Sequence, residues 1–190
     1  WVWVFFFGKL KYYNPSYVMQ GKIMEQPSDI SINLLSIEFE ELYQRHLCRH
    51  SQIGINVIHL ITLLGIWYSA YGIIYWMIPS PWIMVALGIF FFILVVSSLP
   101  ILVLTATMLF FIGVCLLVYY ASLPWIWSYL VILFTSHKIQ QWSHKIYKVE
   151  NDMTKFNQKY PPGNLLLFVL LLYEVPIVLN YLIFRHQDWS

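Results

Sequence analysis

Six histidines punctuate a chain of 190 residues: His46, His50, His59, His137, His144 and His186. A neutral imidazole can bind a transition metal through one ring nitrogen while a neighbour orients the other. His46 and His50 stand four positions apart. On a helix that spacing gives one face and can chelate a single ion. His137 and His144, seven apart, also share a face but lie roughly 10 Å apart along the axis. Either they serve two ions or partners from elsewhere bridge the gap. His50 and His59 would point to opposite sides of one straight helix, and Gly54 between them is the candidate bend. Asn56 and His59 face the same way.

The remaining polar groups refine that chemistry. Gln140 lies one turn before His144, on its face, where it can orient a ligand, a water or a substrate carboxylate. Glu150 and Asp152 follow His144 closely enough to act as ligands, orienting groups or catalytic bases. Glu38, Glu40 and Glu41 precede the first histidines. Glu174 is set inside the apolar run "LLYEVPIVLNY", where an acid needs a partner such as Asn180, Tyr173 or a histidine. A site of neutral imidazoles with no thiolate cluster suits iron(II), manganese or zinc. Iron(II) fits best in a lipid-embedded pocket, where oxygen and acyl chains both dissolve.

The elements that position these groups are read from hydropathy. Charged residues make up 11% of the chain and apolar ones 59%, against about 25% charged in an ordinary soluble domain. No Asp, Glu, Lys or Arg occurs between Arg49 and Lys138. The fold class is therefore all-α, a polytopic integral membrane protein with about five transmembrane helices and an amphipathic helix before the first. The expected spans are 53–78, 82–97, 101–121, 125–147 and 165–184, separated by "PSPW", "SSLP" and "SLPW". Residues 37–50 form the amphipathic helix, with Ile37, Phe39, Leu42, Tyr43 and Leu47 on one side. Residues 1–23 are expected to precede the natural start at Met24, or to serve at most as an interfacial anchor, leaving 24–190 as a single membrane domain. Gly65, Ser69, Gly72 and Gly88 offer small faces for close helix approach. A net charge of +2 with no phosphate loop or basic run excludes nucleic-acid binding. Cys48 and Cys115 are too differently placed to form a bridge.

Basic residues orient the path. Lys22, Arg45 and Arg49 precede the first span, and Lys138, Lys145, Lys148, Lys155 and Lys159 follow the fourth. The positive-inside bias makes that side cytoplasmic, in a bacterial inner membrane or the endoplasmic reticulum. An alternating path then brings His46, His50, His59, His137 and His144 to one depth as candidate metal ligands. The same path puts His186 on the opposite face, solvated beside Arg185 and Asp188.

The segment "ELYQRHLCRHSQIGINVIHLI" resembles the opening signature of the Mpo1-like (DUF962) family of membrane 2-hydroxy fatty acid dioxygenases. "QQWSHK" is similar to that family's second histidine element, with Ser143 where a glycine is usual, and "LLYEVPIVLNYLIF" to its closing helix. The likeness covers roughly residues 38–185, in pieces. It implies an Fe(II)-dependent oxygenase that shortens 2-hydroxy fatty acids by one carbon, with a long-chain lipid and O2 as substrates, and it nominates His50, His59 and His144 as ligands. Gln140 and Glu150 are the candidate catalytic groups. A weaker likeness, carried by "WSH", is to plasmanylethanolamine desaturases, although that family's later histidine cluster has no counterpart here. Two alternatives follow: a histidine–iron lipid desaturase or hydroxylase, and a non-enzymatic packing subunit of a larger complex. Membrane lipids are expected partners, and an oligomer is compatible with either reading.

Overall fold

The chain divides into two units, Trp1–Ser31 and Ile32–Ser190. The computed structural model describes residues 37–147, 154–160 and 163–189 of the second. The expected boundary before Met24 lies outside the described residues, as do Glu150 and Asp152.

The described residues are helical, with no strand among them. In chain order the helices are α1 (Phe39–His50), α2 (Ile53–Met77), α3 (Pro81–Val95), α4 (Ile101–Tyr120), α5 (Ile126–Ile146), α6 (Thr154–Lys159) and α7 (Asn164–Leu179). A π turn over Asn180–Phe184 and a 3-10 turn over His186–Asp188 finish the chain. Proline sets the junctions. Pro81 opens α3 in its first turn, where its missing N–H costs nothing, and Pro100 precedes α4. Each of the five expected apolar segments is a helix.

Among the described residues, three stretches are long and apolar enough to cross a membrane: Ile53–Met77, Ile101–Tyr120 and Leu166–Phe184. That agrees with an integral membrane protein, with three candidate spans rather than five. The 15 residues of α3 extend only about 22 Å, short of a hydrocarbon core of about 30 Å. The second half of α5 is largely polar, from His137 to Lys145. Much of the outer surface is apolar, with Ile61, Ile93, Leu109 and Val131 exposed. Such a surface needs lipid or detergent around it.

The α2–α5 pair is the frame of the bundle. A side chain at Gly72 would strike the Tyr129 ring, one at Gly65 would strike the Ser136 hydroxyl, and one at Gly54 the Tyr147 phenol. The three glycines are seven and eleven residues apart, and so are their partners in reverse order. One antiparallel register therefore runs the length of the pair, and each glycine lets a larger side chain, on α5 or at Tyr147 just after it, approach the α2 backbone. Two of the small residues expected to serve packing, Gly65 and Gly72, are used inside the chain, whereas Gly88 faces open space. Tyr129 is fixed at its far end, where the Leu123 N–H donates to its hydroxyl at 2.7 Å. An aromatic cluster ties in α3 and α4, with Phe111 at 5.0 Å from Trp67 and 4.5 Å from Phe91 between ring centroids.

The last helix departs from the expected path. Glu174 of α7 lies level with His59, and the Tyr181 hydroxyl donates to the Ser51 carbonyl just before α2. So α7 runs antiparallel to α2 and in the same direction as α5, whereas an alternating path would oppose α5 and α7. Beyond it the chain folds back. Arg185 pairs with Glu40 at 2.6 Å, Tyr43 donates to Asp188 at 2.8 Å, and the Trp189 indole donates to the Tyr181 carbonyl at 2.9 Å. His186 therefore sits at the same end of the bundle as the start of α2, a correction to its expected place on the opposite face. The physical cause is this set of tail contacts, which a count of crossings does not contain.

Candidate metal centre

α1 supplies His46 and His50 from its last turns. Its buried side is Phe39, Leu42, Tyr43 and His46, close to the expected apolar face. The helix then stops at Ser51–Gln52 and α2 begins at Ile53. This break, not Gly54, is what lets His50 and His59 meet, because the two rings belong to different helices. Asn56, fully buried, holds the break together. Its amide N–H2 donates to the carbonyls of His50 at 2.6 Å and Gln52 at 3.0 Å. Those bonds identify the other amide atom as the oxygen, so His46 Nε2, 2.7 Å from Asn56 Oδ1, must be a donor. His46 thus spends its Nε2 on Asn56 and stacks on His50 at 4.2 Å.

His50, His59 and His144 come together. Their centroids lie 4.6, 4.8 and 5.0 Å apart, all edge to face. One ring nitrogen from each falls within 4.8 Å of the others, so the trio could hold a metal ion. The α2–α5 register explains the meeting, since it sets His59 opposite the turn that runs from Gln140 to His144.

The tautomers are legible from the partners. His50 Nδ1 is 3.2 Å from the His46 carbonyl, which can only accept, so Nδ1 carries the proton and Nε2 is a bare lone pair. His59 Nδ1 lies 3.5 Å from a Glu174 carboxylate oxygen, which likewise favours the proton on Nδ1. The Nε2 atoms of His50 and His59 are buried and have no hydrogen-bond partner among the described residues. Buried nitrogens are seldom left so, and two of them beside a third imidazole fit a metal ion. Burial, opposed by the bond to Asn56, pushes the His46 imidazole down to about 3. Burial, then the neighbouring imidazoles, also lowers His50. Both rings of α1 are therefore neutral at physiological pH, the state a ligand requires.

Gln140 takes up the position expected of it, but its partner is protein. Its side-chain amide donates to Glu174 and lies 3.5 Å from His59 Nδ1. Glu174 thus has Gln140 as its hydrogen-bond donor, a partner not expected, and of the three expected partners it faces a histidine, His59 at 3.5 Å, while Tyr173 bonds to Ser98. His137 is half-buried, and the Gln141 amide approaches its Nε2 at 2.9 Å along α5 itself. It is not part of the trio, as its distance of roughly two turns from His144 implies. His186 is exposed, edge-on to Trp189 at 4.6 Å. Sequence reasoning missed the part played by Asn56, whose signal was its position just after the α1–α2 break. No protein-family description, curated protein or solved structure matches this chain.

Proposed function

We propose that the protein is a membrane-embedded, iron(II)-dependent oxygenase of long-chain lipids, and that its reaction shortens a 2-hydroxy fatty acid by one carbon. The observation that carries this reading is the trio His50, His59 and His144, with two buried Nε2 lone pairs turned on no protein donor. A metal bound there by three neutral nitrogens keeps coordination positions free and would supply oxygen activation. Two nitrogens each about 2.1 Å from one ion are at most about 4.2 Å apart. The nitrogens of the trio, within 4.8 Å of one another, are therefore close to that limit.

The overall chemistry is self-contained. A 2-hydroxy acid and O2 give the acid one carbon shorter, carbon dioxide and water. The electrons lost by the two carbons are those that a single O2 accepts, so no separate reductant is needed. The apolar outer faces of the helices suit an acyl chain held in the bilayer, and the likeness of the His50–His59 and His144 segments to the Mpo1-like family supports the same substrate. On this reading α2, α3, α4, α5 and α7 all lie in the bilayer. The positive-inside bias of Arg45, Arg49, Lys138 and Lys145 supports a cytoplasmic orientation for the histidine end on the same reading.

The test is metal analysis and turnover of protein purified in detergent under anaerobic conditions with Fe(II). Near-stoichiometric iron and oxygen-dependent loss of a 2-hydroxy fatty acid, with the shortened acid as product, are expected. Protein that takes up no iron overturns the reading and leaves a packing subunit in its place.

A further inference from the structure

We propose that Glu174 is the positioning residue of this centre: its carboxylate accepts from the His59 Nδ1–H and the Gln140 amide together, and so turns the His59 Nε2 lone pair toward His50 and His144. The inference rests on the metal reading above and adds a residue that reading does not need.

Three features point to Glu174. Its position is exceptional, because an acid inside an apolar helix is costly unless something compensates it. Here the side chain is 23% exposed, against 2% for the His59 side chain it faces. The geometry is also convergent. Two donors from two helices, Gln140 from α5 and His59 from α2, meet the same Glu174 oxygen, Oε1. The 3.5 Å between Gln140 and His59 Nδ1 is then the spacing of two donors flanking one acceptor. If the Gln140 amide donated to Nδ1 instead, the His59 proton would move to Nε2 and block that atom as a ligand. The carboxylate removes this alternative, since it draws both donors to itself.

The third feature is a parallel within the trio. His50 has its Nδ1 proton on a main-chain carbonyl and its Nε2 free. His59 repeats the pattern with a carboxylate. Ligating histidines are oriented in this way, and loss of the orienting group costs about 10–100-fold in metal affinity. A carboxylate does more than a carbonyl, because its charge also offsets part of the charge that a divalent ion brings into an apolar bundle.

The experiment is a Co(II) titration of detergent-purified protein, read by visible absorption and by competition with a chelator of known affinity. Wild type, Glu174→Gln, His59→Ala and the double variant are compared, with circular dichroism as the check on fold. Glu174→Gln is expected to keep its helix content, to bind Co(II) about 10–100-fold more weakly and to shift the visible band. In the His59→Ala background the same substitution should have no further effect, which a merely structural role would not produce. Wild-type affinity and spectrum in Glu174→Gln, or an undiminished loss in the double variant, overturns the inference and leaves the metal reading standing. No Co(II) uptake by the wild type overturns both. Where Glu174→Gln does not hold its fold, Glu174→Asp decides: drawing the carboxylate back by a methylene should weaken binding, and unchanged affinity overturns the assignment.

Discussion

A buried imidazole has two nitrogens to satisfy, and in this chain the way each is satisfied separates candidate ligands from supports. His46 commits Nε2 to Asn56, whereas His50 and His59 turn Nδ1 to a carbonyl and a carboxylate and leave Nε2 bare. His144, on the facing helix, completes the set. On the proposed function, His144→Ala is expected to reduce bound iron to background and abolish lipid oxidation while helix content stays at the wild-type level. Removing one half-buried ring leaves the apolar packing of the bundle intact. His186→Ala should change neither quantity, because that ring is exposed and contacts Trp189 rather than the trio. Metal analysis of the two variants side by side, with circular dichroism, checks both; iron retained by His144→Ala contradicts the assignment.

At the scale of elements, the α2–α5 register delivers His59 to Gln140 and His144, and glycine makes that register close. The Tyr129 ring that abuts Gly72 is 1% exposed and anchored at its hydroxyl. It has no room to yield. Gly72→Ala should therefore lower the stability of detergent-solubilised protein by roughly 1–3 kcal/mol through overpacking. Gly88→Ala, which meets nothing, should be neutral or gain up to about 1 kcal/mol of helix propensity. Thermal unfolding of the two variants against wild type tells them apart. A second element contact is pH-sensitive. Burial first, then Asp188, raises the Tyr43 phenol well above its ordinary value. The unfolded chain ionises near pH 10 while the folded one does not, so this stabilisation is complete below that pH and is lost as pH rises above it. Tyr43→Phe should cost roughly 1–3 kcal/mol at neutral pH for the lost bond to a carboxylate. It should also show a shallower fall in melting temperature between pH 9 and 11.

For the whole molecule, the tail contacts decide topology. Tyr181, Arg185, Asp188 and Trp189 hold the C-terminal turn against Ser51 and α1, so both lie at the histidine end. The α4–α5 junction is at the far end, where the Tyr68 hydroxyl donates to the Ala121 carbonyl. In a background with Cys48 and Cys115 replaced by serine, Gln187→Cys and Ser122→Cys are expected to react with an impermeant maleimide from opposite sides of sealed vesicles. Gln187→Cys should share its sidedness with a variant retaining Cys48 alone. Labelling of Gln187→Cys and Ser122→Cys from the same side would remove the fold-back of the tail.

Helices, their approximate limits and their apolar environment were legible in the chain alone, because hydropathy over about 20 residues and proline punctuation are local properties. Histidines were likewise legible as a group, since charge is absent from the long stretch between Arg49 and Lys138. The tertiary structure decided which of them meet. The stop at Ser51–Gln52 and the glycine-set register of α2 on α5 select His50, His59 and His144 and pass over His46 and His137. The direction of α7 was likewise a tertiary decision, because Glu174 reaches His59 and Tyr181 reaches Ser51 across more than a hundred residues of chain. Local pattern records which residues leave water; contacts at that separation depend on the backbone distance between helices, which single glycines control.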